Sequence, residues 1–462
     1  MVFHGSLVAL WVRLTARKAN HQMATSSDTS GVAPVFHLPV DLCFECRRDG
    51  DCCRNWDIPV EPDEVERILT ADWRSCSALG PDDDSPFLYP RKGKGGHVVI
   101  KRIDEACCFL AEDGLCRLHK RYGAEAKARS CQRYPFRFVE APDGVYVGLS
   151  FGCRSVLRNT GLPVEKQFDR VREEFLRRPS YHRLAEPVRF DAATPIEWAD
   201  YLAIEQALDE ILAREDYSVG QCLIAGHAWL GILRQALLAG RKSPEQTPSR
   251  WVSFYVDSTR RDGFARAFQI ARHPVAGRAV KRMLLGSFIS FRSASIRRLP
   301  RLVVIVRLLL ENARHWLRLG NLRLPPFQTA LSYRDFRPGS ADLDSREFQD
   351  ILRRYFRHAL FRKDLICHTD VFWGYCFLVL TYGLIQWYAA GLRAAGTPAP
   401  GSGGKALAEN SASDGFEAVS IVERYYVHHS NFNQLFLYHP ALAETIQYLF
   451  KRPNFAHSIV AG

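Results

Sequence analysis

"LCFECRRDGDCCRNW" (residues 42–56) places Cys43, Cys46, Cys52 and Cys53 within eleven positions, two of them adjacent. A stretch this charged and this rich in thiols has three physical readings: metal ligation, disulfide pairing or coincidence. The remaining cysteines weigh on the choice. Cys107, Cys108 and Cys116 follow, then Cys131 and Cys153, so that with Cys76 ten of the thirteen cysteines fall in the first third of the 462 residues. Cys-x2-Cys sets two thiolates on one tight turn and gives a soft metal half of its shell. The second closely spaced set would supply the other half after a loop. Arg and Lys at 47, 48, 54, 101, 102, 117, 120 and 121 favour the thiolate form.

Disulfides fit less well. The cysteine count is odd, and "MVFHGSLVALWVRLTARKANHQM" makes a poor secretory signal, with no Lys or Arg before its apolar run and no small-residue cleavage site after it. The expected ligands are Cys43, Cys46, Cys52, Cys53, Cys107, Cys108, Cys116 and Cys131. Cys153 and His119 are weaker members, and Cys76, Cys222, Cys367 and Cys376 read as ordinary thiols. Eight thiols exceed the four that one tetrahedral ion takes. Two zinc ions, or one 4Fe–4S cluster with spare thiols beside it, both remain open.

The fold expected is α+β: a small cysteine-rich metal-binding module with a few short strands, then a large, mostly α-helical region. Residues 1–36 read as a disordered extension, with the start at Met1 or Met23. Residues 37–158 read as the module and 159–462 as the helical region, with a flexible Gly/Ala/Ser/Pro-rich insert at 393–415. Within the module, Pro62 followed by acidic residues marks a helix entry. "HVVIKRI" (97–103) and "GVYVGLSFGC" (144–153) are predicted strands. Beyond residue 160, long stretches of 3.6-residue period predict helices, among them "RLVVIVRLLLENARHWLRL" and "REFQDILRRYFRHALFRK".

An apolar fraction of 47% with 12% aromatics supports a sizeable core and excludes a disordered chain. The net charge of +12 is concentrated: residues 250–323 carry sixteen Lys/Arg against three acidic residues, a net +13 that leaves the rest near −1. Such a segment suits nucleic acid, anionic lipid or an acidic protein. The plainer expectation is amphipathic helices with arginine on their solvent faces, because the aromatics there fit helix cores at least as well as base stacking. Nucleic acid is therefore the less expected partner. "VFWGYCFLVLTYGLIQWYAAG" (371–391) has the length of a membrane span without a charge, but its Thr381, Gln386 and three tyrosines fit a buried core helix better. A cytoplasmic protein is expected.

The cysteine pattern, with "CCRNWDIPVEPDEVERI", "CCFLAEDGLCRLHKRYG" and "CQRYPF" (131–136), resembles the cysteine-cluster family described as zinc- or iron-chelating domains. Within it, the form most similar is that of flagellin lysine-N-methylases, over residues 40–155. The resemblance implies methyl transfer from S-adenosylmethionine to a protein lysine, with flagellin as the substrate to consider. No glycine-rich strand–turn–helix marks a cofactor cradle, since "GKGG" (93–96) precedes a strand. Catalytic and cofactor-binding residues are thus unassigned. Glu45, Asp57 and Asp104 are distant candidates for acid or base, and His428, His429 and His439 for a second site. Tyr134 and Pro135 are expected to fix the turn behind Cys131. The competing expectation is a non-catalytic metal-binding or redox-sensing protein whose basic helices dock a partner.

Overall fold

Pro62 opens the first long element among the described residues, at the helix entry expected. Its missing N–H costs nothing at a helix start, and Glu61 and Glu64 cap the end reciprocally, Glu64 Oε2 accepting the Glu61 amide at 2.8 Å. That helix, α1 (Pro62–Thr70), belongs to a computed structural model describing residues 34–54, 57–89, 98–176, 182–240, 247–272, 281–286, 289, 301–324, 330–332, 345–367, 369–395, 411–427 and 447–460. Most of the N-terminal extension, the GKGG loop, most of the 393–415 insert, His428, His429 and His439 lie outside the described residues.

Short strands surround α1. β1 (Phe36–His37) and β2 (Cys43–Phe44) precede β3 (Pro59–Val60), and β4 (Phe87–Leu88), β5 (Val98–Ile100), β6 (Arg102–Ile103) and β7 (Ala106–Cys107) follow. The single strand expected at 97–103 is two. Lys101 leaves the ladder: its amide donates to Pro86 O at 2.8 Å and its carbonyl accepts from Cys108 N at 3.0 Å. β5 can then pair with β3 and β4, while β6 turns back on β7. β8 (Phe136–Ala141) and β9 (Gly144–Leu149) form a six-residue hairpin around Pro142–Asp143, flanked by β1 and β11 (His182–Arg183). The strand expected at 144–153 therefore ends at Leu149, where Ser150 N turns to Pro135 O. β10 (Leu162–Pro163) pairs antiparallel with β2.

Two apolar clusters result. The smaller joins Ile58, Val60 and Ile68 to Ile100, Phe109 and Leu118, with Cys76, Cys107 and Cys108 buried among them. The larger takes in Leu42, Phe44, the β8–β9 hairpin and the helices that follow. Its main helices are α6 (Trp198–Leu212), α7 (Val219–Gly240), α11 (Arg346–Phe361) and α12 (Val371–Ala395), preceded in the chain by α2 (Arg117–Tyr122), α3 (Arg129–Arg133), α4 (Arg154–Arg158) and α5 (Phe168–Leu176). Helix α12 is the expected uncharged stretch. It lies inside the protein, with Tyr375, Trp387 and Tyr388 fully buried. Between α7 and α11 run α8 (Pro248–Arg261), α9 (Ala265–Arg272) and α10 (Arg301–Leu317); after α12 come α13 (Ser411–Val422), a π-helical turn at Glu423–Val427, and α14 (Phe455–Val460).

His227 of α7 shows how this core responds to acid. It is buried between Phe372 and Phe455, its Nε2 lies 3.0 Å from Phe450 O, and burial pulls its pKa down from 6.5 to about 4. Between those values the unfolded chain binds the proton and the folded one does not, so stability falls as pH drops. The loss by pH 4 is about 3 kcal/mol from this residue alone. Urea unfolding at about pH 7 and pH 4.5 should show it, and His227→Gln should flatten the slope.

Candidate functional site

The thiol-rich site is assembled by four close backbone approaches. Asp51–Cys53 is a single 3-10 turn, entered through Gly50 at φ +69°, where a side chain would meet the carbonyl of Gly114 at 2.9 Å. That contact sets the turn carrying Cys52 and Cys53 against the loop leading to Cys116. Arg54 then bridges to Ala106, beside Cys107. Leu110 bridges to Cys116, and Arg117 N donates to Phe109 O at 2.8 Å, which folds 107–117 back on itself. Helix α3 brings Cys131 through Ser130 Oγ, which donates to Pro59 O at 3.2 Å, and through Arg129 N, which donates to the buried Glu64 at 2.5 Å.

Cys52, Cys53, Cys107, Cys116 and Cys131 are thereby brought close enough to act on one another electrostatically. Cys52 and Cys53 have their sulfurs 4.0 Å apart. The hydrogen bond between them, more than any other cause, lowers the Cys52 pKa and raises that of Cys53. Cys107 and Cys108 repeat the arrangement, with Cys107 pushed well up and Cys108 down. Burial raises Cys116 and Cys131, against the nearby charge of Lys127, which also acts on Cys52. Each adjacent pair is thus polarised into one thiolate-prone and one thiol-prone member.

Cys43 and Cys46 stand elsewhere. Cys43 is paired with Pro163 on β10, its amide donates to Asn159 Oδ1 at 2.7 Å, and its thiol acts on Arg354 of α11. Cys46 is exposed. Cys108 faces Ser77 as well as Cys107. Cys153 caps the start of α4 with its thiol raised to about 12 by burial, and acts on Tyr134 alongside Cys52. His119 is held low by burial, then by Lys127 and Arg48. No disulfide joins the described cysteines, and among the described residues no three His, Cys, Asp or Glu side chains converge as a group that could hold a metal ion. The donor chemistry fits a thiophilic metal, although the thiols are not closed around one point.

A buried charge network adjoins the thiols. Arg424, in the π-helical turn, forms an ion pair with Asp51 and donates to Gly152 O from Nε (2.9 Å) and Nη2 (2.7 Å). Arg154 joins Asp51 at 3.4 Å and Glu417 at 2.9 Å. Tyr134, whose peptide bond to Pro135 is cis, sits among Cys153, Arg424, Cys52 and Asp51, with its hydroxyl pKa raised by burial. One residue along the same π turn, Glu423 pairs with Arg362 at 2.5 Å and accepts from Tyr355 at 2.9 Å. π turns break helical register and are frequent at functional sites. Here the turn presents two successive charges to two different networks.

Asp51, Lys127, Arg154, Glu417 and Arg424 are the residues that sequence spacing did not single out for this site, and Tyr134, expected only to fix the turn behind Cys131, also faces the charge network. Asp51 and Lys127 had a faint signal as charges near cysteines. Arg424 had none, being 373 positions from its partner. The close approach at Gly152 is obligatory, because a Cβ there would lie 2.8 Å from Arg424 Cγ and 3.2 Å from the Tyr134 hydroxyl. Gly152→Val should therefore destabilise the protein by about 1–3 kcal/mol, read as a lowered denaturant midpoint.

Comparison with known proteins places the chain near one class, methylases and flagellar biosynthesis proteins, over a limited part of its length. It is 26% identical over 140 residues to the flagellar biosynthetic protein FliU of Salmonella muenchen, covering 28% of this chain and 82% of that protein. It is 25% identical over 123 residues to the lysine-N-methylases of Salmonella typhimurium strain LT2 and Salmonella choleraesuis, covering 27% of this chain and 30% of each. The match thus spans less than a third of the methylases' length. No family model matches the chain, and no solved structure matches it.

Proposed function

We propose that this protein is a cytoplasmic thiolate–metal enzyme that methylates protein lysines from S-adenosylmethionine, with a flagellin-type protein as substrate. The observation that carries the reading is the distant similarity to lysine-N-methylases, in a chain where Cys52, Cys53, Cys107, Cys116 and Cys131 share one neighbourhood. Cys52, Cys53, Cys107, Cys116 and Cys131 are the thiols that would hold a metal, with Cys43, Cys46 and Cys108 as the outer members of the proposed set. Bound there, a 4Fe–4S cluster or zinc would supply a thiolate-anchored Lewis acid for the amino and carboxylate groups of the cofactor.

In the reaction, the neutral lysine Nζ attacks the sulfonium methyl carbon. The N–C bond forms as the C–S bond breaks, the electron pair stays on sulfur in S-adenosylhomocysteine, and the methylated ammonium releases a proton. The demands on the protein are in-line geometry and a deprotonated amine. Arg424 and Arg154 hold Asp51 next to Cys52, and Lys127 favours thiolates in the group. These residues fix the thiol side of the site.

The experiment is incubation of anaerobically purified, metal-loaded protein with methyl-labelled S-adenosylmethionine and flagellin, with a host lysate alongside. Label on lysine ε-amines is the expected result. Its complete absence from a loaded protein would overturn the enzyme reading. A redox-sensing function then gains ground, favoured by the polarised Cys52–Cys53 pair with sulfurs 4.0 Å apart.

A further inference from the structure

The periodicity of α10 should bury its apolar stripe. Among its described side chains, one apolar stripe faces outward instead. Val303, Val306, Leu310 and Leu317 recur at three-, four- and seven-residue spacing and so share one face, with Leu309 and Trp316 along its edge. All six are between 45% and 66% exposed. The inward face is marked by His315, which is fully buried: a Cβ on Gly286 would meet its ring at 2.5 Å. His315 lies about 160° around the helix from Leu317 at 100° per residue, so the helix is docked by its opposite side.

The edge facing away from Leu309 and Trp316 is cationic. Arg307 is exposed, and Arg314, seven residues on, is half-buried and bonded to Glu311 at 3.2 Å and to Leu319 O at 3.2 Å. Arg318 follows, exposed. Residues 281–323 hold ten Lys/Arg against Glu311 alone. An aliphatic stripe about 21 Å long, edged by arginines and ending in tryptophan, has the composition of a helix lying in a membrane interface rather than spanning it. A nucleic acid would use the charge but leave the leucines in water. An aliphatic protein groove would use the leucines but not the surrounding charge. An anionic lipid surface uses both.

We propose that the exposed face of α10 is a docking surface for anionic membrane lipid, which holds the protein peripherally at a bilayer. This stands independently of the methylase reading. The long apolar helices α7 and α12 belong to the core and are not the anchor.

The test is flotation of the full chain with vesicles of phosphatidylcholine containing phosphatidylglycerol, and with phosphatidylcholine alone. The expected result is flotation with the anionic vesicles only, weakened by salt. The double substitution Leu309→Glu/Leu310→Glu should lower vesicle affinity at least tenfold without changing the circular dichroism melt, since both side chains already face solvent. Leu176→Glu, at an exposed leucine on α5, should float as the parent does. Failure of the parent to float, or equal flotation of the double variant, would overturn the proposal. So would light scattering showing a dimer that the double variant dissociates, or binding of polyglutamate without affinity for vesicles, which would give the face to a protein.

Discussion

Replacing Arg424 by alanine is expected to cost the folded protein about 3–5 kcal/mol and to release the thiol site from the helical core. The guanidinium is almost completely buried, and its ion pair with Asp51 is supported by two hydrogen bonds to the carbonyl of Gly152. A buried pair of this kind contributes little net stability compared with apolar residues of equal volume, but removing one partner leaves the other charged and unsolvated. Among the described residues, Asp51 would keep Arg154 at 3.4 Å, and Arg154 is shared with Glu417. Because Asp51 directly precedes Cys52, its displacement moves the turn carrying both adjacent thiols. Chemical unfolding measures the first effect. The second is read as loss of metal from Arg424→Ala under conditions where Arg424→Lys, which preserves the charge, retains part of it. A variant that is destabilised yet keeps full metal content would confine Arg424 to a structural role.

The second large effect has the opposite sign. Asp370 sits at the start of α12, where its Oδ1 accepts the amide of Trp373 at 2.9 Å. Burial, reinforced by the charge of Asp191, raises its pKa from 3.8 to about 7. A carboxyl whose folded pKa lies above its unfolded value binds its proton more tightly when folded. Its contribution is therefore lost as pH rises from 3.8 to 7, at a cost of about 4 kcal/mol above pH 7. Asp370→Asn keeps the acceptor for Trp373 and never ionises. The variant should be more stable than the parent by about 2–4 kcal/mol near pH 8, with the gain vanishing near pH 4. Urea midpoints across that range decide it, and a destabilised Asn variant at pH 8 would show that Asp370 is held ionised by partners stronger than burial.

Local signals were legible in the sequence wherever the physics is local. Pro62 with its acidic neighbours opened α1, the uncharged 371–391 stretch became a buried helix, and the amphipathic period of 346–363 became α11. Of the cysteines that spacing grouped, Cys52, Cys53, Cys107, Cys116 and Cys131 share one neighbourhood. The same spacing could not show that Cys43 turns toward Asn159 and Arg354, because β2 pairs with a strand more than a hundred residues downstream. Nor could it reveal Arg424, whose relation to Asp51 exists only once both elements are docked. The run 97–103 read as one strand because β-branched residues surround Lys101, and its break is set by Pro86 and Cys108 from outside the run. In the basic segment, the spacing of the aromatics fits helix cores at least as well as base stacking, and the two outcomes divide: Trp316 and Phe254 are exposed, whereas Phe264 and Phe268 are buried. Periodicity identifies a face but not the direction in which tertiary packing turns it.

The most direct test of the central claim, that Cys52, Cys53, Cys107, Cys116 and Cys131 jointly hold a metal, is elemental mass spectrometry on the protein purified without oxygen. A fixed stoichiometry is expected, about four irons for a cluster or about one to two zincs for isolated ions. Cys52→Ser and Cys131→Ser should each remove most of it, while Cys222→Ser, in the helical core, should leave it intact. Metal-free parent protein, or metal content indifferent to Cys52 and Cys131, would contradict the account.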